Sequence, residues 1–277
     1  MVVTAAFVSE RGLPVYEELA RYMSKKLSID VSVISGISYE ESNLLLHQGV
    51  IQIGFVCGLP YTREFDEEDM IAIPVMSLKK GRYPDIPGYE DVPGRYFSYT
   101  IVHKDSPINS WRDLKGSHFT YNDINSNSGY NMPRYKLIQL GANSWEEYFS
   151  KITVSGSHEE SIRLVAKGMV DASSVDSLVL DYDRHIGNTN ALNVKVIEAL
   201  FPGGSGAPPI VLSKKADPKL KAIVQKTLLT MHEDEWGKEI LKKSLMSRFI
   251  KPSNTNYDDI RKMDNAAKLA NFIDHIE

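Results

Sequence analysis

Apolar positions in the first sixty residues follow two periods in turn. Val2 to Val8 is a short apolar run of strand character. Residues 13–27 then place Leu13, Tyr16, Leu19, Ala20, Met23 and Leu27 at helical spacing with charges between them. Ile29 to Ile34 is β-branched and ends at Ser35-Gly36, which predicts a second strand. Ser38 with Glu41 three residues on has the form of a capping box, and the helix it opens is predicted to stop near Gly49. Ile51 to Val56 supplies the next strand. The order β-α-β-α-β predicts a mainly parallel sheet with helices on its faces.

From Phe65 to Arg95 the pattern loosens. Pro74, Pro84, Pro87 and Pro93 surround one apolar run, Ile71 to Val75, which predicts a strand followed by a surface loop. Tyr96 to Val102 is β-rich, and Phe119 to Val175 returns to the β-α-β-α-β order. Pro202 to Pro209 has the composition of a flexible connector, and residues 217–277 are predicted helical with a break at Pro252.

The two β-α-β-α-β segments are copies of one another. Ser38, Glu40, Glu41, Ser42, Leu45 and Gly49 match Ser157, Glu159, Glu160, Ser161, Leu164 and Gly168, an offset of 157 − 38 = 119. The same offset pairs Pro14 with Pro133, Tyr16 with Tyr135, Ser9 with Ser128 and Val56 with Val175, and predicts a repeat without gaps. Two such units imply two similar lobes. Ligands of open α/β sheets bind outside the carboxyl ends of the strands, so the loops after the strands are the candidate site. This geometry nominates Ser9, Tyr39 and Cys57 in one lobe and Ser128, His158 and Asp176 in the other.

Composition narrows the chemistry. The 277 residues carry a net charge of -4 and contain one cysteine. No basic stripe is present to neutralise a phosphate backbone, so nucleic acid is not an expected partner. No stretch is long and apolar enough for a membrane-spanning helix. A single Cys57 excludes an intramolecular disulfide and a cysteine-based zinc site; beside Gly58 and without a neighbouring base it reads as a packed side chain. His-Glu-x-x-His, a phosphate loop with Gly-Lys-Ser/Thr and a post-strand Gly-x-Gly-x-x-Gly are all missing, so neither metal nor cofactor is expected.

The segment Asp123 to Asn131 combines hydroxyl and amide side chains at a predicted helix start. Such a turn is either a solvated cap or an anion site in which O–H and N–H donors meet the positive end of a helix dipole. His158 opens another predicted helix, in the place Tyr39 holds in the first copy, and both can donate from an aromatic ring. Asp176 ends a strand, where a carboxylate serves either as an N-cap or as acceptor for the proton of a protonated oxyanion. Ser128, His158 and Asp176 could also be imagined as a catalytic triad, but no Gly-x-Ser-x-Gly elbow accompanies them.

In combination these motifs resemble a known family. Lys104-Asp105-Ser106-Pro107-Ile108, Trp111-Arg112-Asp113-Leu114-Lys115-Gly116, Asn125-Ser126-Asn127-Ser128-Gly129-Tyr130, Gly156-Ser157-His158-Glu159, Ser161-Ile162 and Val170 to Ser177 are similar to the phosphate, phosphite and phosphonate substrate-binding proteins of ABC importers. The resemblance implies an α/β, two-lobed type II periplasmic-binding-protein fold with mainly parallel sheets and a ligand cleft between lobes. Lobe 1 is expected to comprise residues 1–98 and 208–277, lobe 2 residues 103–203, with hinge crossings at 99–102 and 204–207. It implies a solute-binding rather than catalytic role: capture of a phosphonate, phosphite or phosphate by hinge closure, and delivery to an ABC permease in the membrane. Carried over residue by residue, the ligand contacts are Ser126, Asn127, Ser128, His158, Asp176, Tyr39 and Tyr96, with Ser9 nominated by the repeat and Gly129 of the serine loop a further candidate. A monomer located outside the cytoplasm, periplasmic or lipid-anchored and with the export segment absent from this chain, completes the expectation. Other readings are a ligand-sensing domain of the same fold and a cleft hydrolase using Ser128 and His158. The chain departs from the family at Asn127, where threonine is frequent, and at Cys57, which stands in the place of a tyrosine before Gly58-Leu59-Pro60.

Overall fold

Two helix starts are set by serines at the strand-to-helix turns. Ser38 Oγ accepts the Glu41 N–H at 3.1 Å, and Ser157 Oγ accepts that of Glu160 at 3.1 Å, so both copies of the predicted cap form. Both capped helices end near a glycine with positive φ, Gly49 at 77° and Gly168 at 66°.

The structure is a computed structural model, and it describes residues 1–4, 10–76 and 93–272. The first elements are β1 (Val2–Thr4), α1 (Leu13–Leu27), β2 (Ser32–Ile34), α2 (Tyr39–Gln48), β3 (Ile53–Phe55), α3 (Gly58–Glu64) and β4 (Met70–Met76). There follow β5 (Arg95–His103), β6 (His118–Tyr121), α4 (Met132–Gln139), β7 (Lys151–Val154), α5 (His158–Ala166), β8 (Ala172–Asp176), α6 (Ser177–His185) and α7 (Thr189–Leu192). The chain ends with β9 (Val194–Gly206), β10 (Ile210–Leu212), α8 (Pro218–Leu229), α9 (Glu235–Lys243), β11 (Met246–Ile250) and α10 (Asp258–Leu269).

These elements form two units. Among described residues, unit 1 holds 1–4, 10–76, 93–95 and 206–257, and unit 2 holds 96–205 and 258–272. Unit 1 is built on a six-stranded sheet in the order β11-β4-β10-β3-β1-β2, and unit 2 on a five-stranded sheet in the order β7-β6-β8-β5-β9. The repeated part is parallel in both: β1 lies between β2 and β3, and β6 between β7 and β8. Strand β10 pairs antiparallel with β3 and β4, β11 with β4, and β5 with β8.

Several expectations are corrected. The helical segment predicted from 217 contains a strand, β11, which pairs with β4 and whose short sequence Met-Ser-Arg-Phe-Ile lacks strand alternation and so hides among helices. The supposed connector after Pro202 is still strand as far as Gly206. Phe201, Gly203 and Gly204 take positive φ of 70°, 81° and 70°, so the glycines supply left-handed turns within β9 rather than a loop. The chain changes unit at Arg95/Tyr96, ahead of the expected 99–102, and at Ser205/Gly206, inside the expected 204–207. It changes again at Tyr257/Asp258, so α10 belongs with the second unit rather than with lobe 1. There α10 buries Ile260, Met263 and Ala267, and its Asp264 meets Arg134 of α4 at 2.8 Å.

The repeat also has a gap. Val2 pairs with Ser32, whereas His118 pairs with Lys151; since Ser32 and Lys151 differ by 119, the first strands differ by 118 − 2 = 116. Helices α1 and α4 start at Leu13 and Met132, again 119 apart. The loop between β6 and α4 is therefore three residues longer than its counterpart between β1 and α1.

Unit 2 packs that loop on an aromatic cluster. The Phe119 and Phe149 rings stack at 4.6 Å, Tyr121 meets Tyr130 edge-on at 5.0 Å, and Trp145 lies 5.5 Å from both tyrosines. Tyr130 directly follows Gly129, so burial of its ring anchors the loop from below.

Candidate functional site

The longer loop is where unit 2 collects polar groups. Ser126 Oγ accepts the Gly129 N–H at 3.0 Å, and residues Asn127–Asn131 make a single π turn closed by Asn131 N–H to the Ser126 carbonyl at 3.0 Å. Such widened turns recur at functional sites because they push backbone and side chains out of the regular helix. Ser126, Asn127 and Ser128 are fully buried. Ser98 of β5 donates to the Ser128 carbonyl at 2.5 Å, and the Ser128 hydroxyl itself has no partner among the described residues. A buried hydroxyl left unsatisfied costs about 1–3 kcal/mol, which marks a place kept for something else to bond.

β5 carries the next two groups to this loop. Ser98 is registered against Asp176 at the end of β8, and the Asp176 backbone N–H donates to His158 Nδ1 at 3.3 Å. Ser98 thus links Ser128 with Asp176, and Asp176 is linked in turn with His158. His158 is the first residue of α5 and is 4% exposed. Burial lowers its pKa from 6.5 to about 3, so the ring is neutral. With Nδ1 occupied as an acceptor, the ring proton resides on Nε2 and is a donor.

Asp176 has two roles at once. Its Oδ1 accepts the Leu178 N–H at 2.7 Å and caps α6, the capping alternative of the sequence. Burial, followed by the nearby Asp181 and Glu159 charges, outweighs the backbone hydrogen bonds and raises its pKa from 3.8 to about 8. The ionised acceptor expected from sequence is corrected: near neutral pH the group carries its proton and can donate. The same geometry removes the triad. In a triad the carboxylate accepts from Nδ1–H, whereas here Nδ1 accepts from the backbone N–H of Asp176.

Tyr96 is fully buried and receives a hydrogen bond from Asn127 Nδ2 at 3.0 Å. Asn127 Nδ2 also reaches Ser205 Oγ at 3.4 Å, and its Oδ1 accepts from Asn131 at 3.1 Å. Asn127 therefore spends its amide on the protein, and its place in the ligand set is indirect. Gly129 likewise has its N–H held by Ser126. Tyr39 opens α2 in unit 1 and is 8% exposed; Cys57 precedes α3 and is 4% exposed, buried as the sequence predicts. Ser9 lies outside the described residues.

One residue escaped the sequence reading. Asn122, one past β6, is fully buried, and both its amide oxygen and nitrogen lack partners among the described residues. A Cβ on Gly129 would stand 1.8 Å from Asn122 Oδ1, so the amide lies directly against the serine loop. Its only signal in the sequence is an amide directly after a strand, which is common in turns.

Comparison with solved structures gives the class of protein. A binding-protein component of a phosphonate ABC transporter from Pseudomonas aeruginosa superposes with a TM-score of 0.81 at 18% identity, over 98% of this chain and 86% of that one. PhnD1 of Prochlorococcus marinus in complex with methylphosphonate gives 0.79 at 20% identity, over 97% and 98%. The aliphatic sulphonate binding protein SsuA of Escherichia coli gives 0.61 at 15% identity, over 97% and 85%. The fold is that of the type II periplasmic binding proteins.

The family follows from sequence. Residues 1–257 match the family described as ABC transporter, phosphonate, periplasmic substrate-binding protein, and the chain belongs to it. The phosphonates-binding periplasmic protein of Escherichia coli K12 is 29% identical over 174 residues, 61% of this chain and 50% of that protein. The match spans about half the length of this curated relative.

Proposed function

We propose that the protein is the solute-binding component of an ABC importer and that it captures a phosphonate. The observation that carries this is the set of buried neutral donors in unit 2: the Ser128 hydroxyl without a partner among the described residues, the Nε2 proton of neutral His158 and the protonated carboxyl of Asp176. Donors of this kind, at helix starts and shielded from water, suit a tetrahedral oxyanion without needing a lysine or arginine.

In this reading Ser126 shapes the loop, Ser128, His158 and Asp176 contact the phosphonate oxygens, and the Tyr96 hydroxyl completes the set. Asn122 is an added contact that the sequence did not suggest. Asp176 and the anion share one proton: the protonated acid donates it to an oxygen of the ionised head. Tyr39, which opens α2 in the first unit, is the residue of that unit kept as a proposed ligand contact. Residence outside the cytoplasm, a monomeric state and a membrane permease as partner belong to the same proposal.

Isothermal titration with methylphosphonate, 2-aminoethylphosphonate, phosphite, phosphate and sulfate tests it. Saturable binding of a phosphonate, weakened at least tenfold by Ser128→Ala, is expected. No binding of any phosphorus oxyanion would overturn it.

A further inference from the structure

Behind the serine loop runs a line of buried polar groups that ends far from any ligand contact. Lys268 and Arg134 each approach a different oxygen of Asp264 at 2.8 Å. Arg134 then donates to Asn131 Oδ1 at 3.0 Å, Asn131 Nδ2 to Asn127 Oδ1 at 3.1 Å, and Asn127 Nδ2 to Tyr96 Oη at 3.0 Å. Asn131 Nδ2 also reaches the Ile260 carbonyl of α10 at 3.4 Å. Tyr96, Asn127 and Asn131 are fully buried, and Arg134 and Asp264 are each 4% exposed.

The order of donors in this line is dictated from its charged end. A guanidinium only donates, so Asn131 must turn its oxygen toward Arg134 and its nitrogen toward Asn127. Asn127 must then present its oxygen to Asn131 and its nitrogen to Tyr96. The Tyr96 oxygen is made an acceptor on that side, which directs the hydroxyl proton away from Asn127. Asp264 pairs with the buried guanidinium and holds it in place, and linked bonds of one polarity reinforce each other.

We propose that Asp264, Arg134 and Asn131 are positioning residues that set the polarity of this line, and that they thereby orient the Tyr96 hydroxyl as a donor to the bound oxyanion. The inference rests on the phosphonate site described above. It gives α10 a part in affinity, although none of its residues is in the ligand set. It gives Asn127 a part as well: an amide passes the polarity on to Tyr96 while accepting from Asn131 through a separate atom.

Asn131→Asp tests it, because a carboxylate keeps a partner for Arg134 but has no proton to give. Asn127 must then turn its amide to donate to that carboxylate and face Tyr96 with its oxygen, which draws the tyrosine proton away from the ligand. Methylphosphonate titrations of wild type, Asn131→Asp, Tyr96→Phe and the double variant are compared. About a tenfold loss in Asn131→Asp, near 1.4 kcal/mol, is expected, with no further loss when Tyr96→Phe is added. Additive losses, or an Asn131→Asp affinity within about twofold of wild type, would overturn the inference while leaving the site reading intact. Absence of methylphosphonate binding by the wild type would overturn the site reading and this inference with it. If Asn131→Asp does not fold, Asn131→Ala cuts the same link without adding charge and is read by the same double-variant comparison.

Discussion

The backbone N–H of Asp176 donates to His158 Nδ1 at 3.3 Å, so a strand end and a helix start share one hydrogen bond that sets the tautomer of a buried imidazole. The consequence is a donor whose charge does not change across the physiological range, beside an acid whose charge does. The first two predictions follow from that difference.

Methylphosphonate affinity is expected to be flat below pH 7 as far as His158 is concerned and to fall above about pH 8, where Asp176 loses its proton and the one proton shared with the anion is gone. The expected slope approaches tenfold per pH unit. Titration of Asp176→Asn should show weaker binding at pH 7 and no such slope; an unchanged slope would remove Asp176 from the site.

Stability carries the same two groups with opposite signs. Native Asp176 keeps a proton that the unfolded chain releases above 3.8, so its contribution is present at low pH and is lost as pH rises to about 8. Native His158 refuses a proton that the unfolded chain binds below 6.5, so its contribution is present at high pH and is lost as pH falls toward 3. Between 3.8 and 6.5 the two oppose each other, and between 6.5 and 8 only Asp176 acts. Urea midpoints of ligand-free protein should therefore fall from pH 6.5 to 8, and Asp176→Asn should abolish that limb.

Gly129→Ala places a methyl 1.8 Å from Asn122 Oδ1 and 3.1 Å from Ser126 Oγ. Loss of phosphonate binding by more than tenfold is expected. Asn122→Gly in the same chain should restore part of it by making room. No rescue would mean that the loop itself, rather than the amide against it, requires glycine.

Removing the cap of α5 by Ser157→Ala leaves the Glu160 N–H without its acceptor. A loss of about 1 kcal/mol is expected from denaturant unfolding, in the usual range for such caps. Because His158 is the next residue, methylphosphonate affinity should drop as well, whereas Ser38→Ala in the first unit should cost similar stability without that drop. An effect of Ser157→Ala on stability alone would separate the cap from the site.

Sequence by itself determined whatever depends on neighbours along the chain. The bounds of α1, the Ser38 and Ser157 caps and the parallel β-α-β-α-β order all follow from local periodicity, capping chemistry and an internal repeat. Tertiary structure decided what depends on distant partners. The three-residue gap shows only in strand register, since Val2 and His118 are aligned by Ser32 and Lys151. β11 pairs with the edge that β4 offers, and α10 packs in unit 2, where its Asp264 meets Arg134, 130 residues away in sequence. The protonation of Asp176 belongs to the same class: a carboxyl keeps its proton only where folding has removed the water and brought Asp181 and Glu159 close.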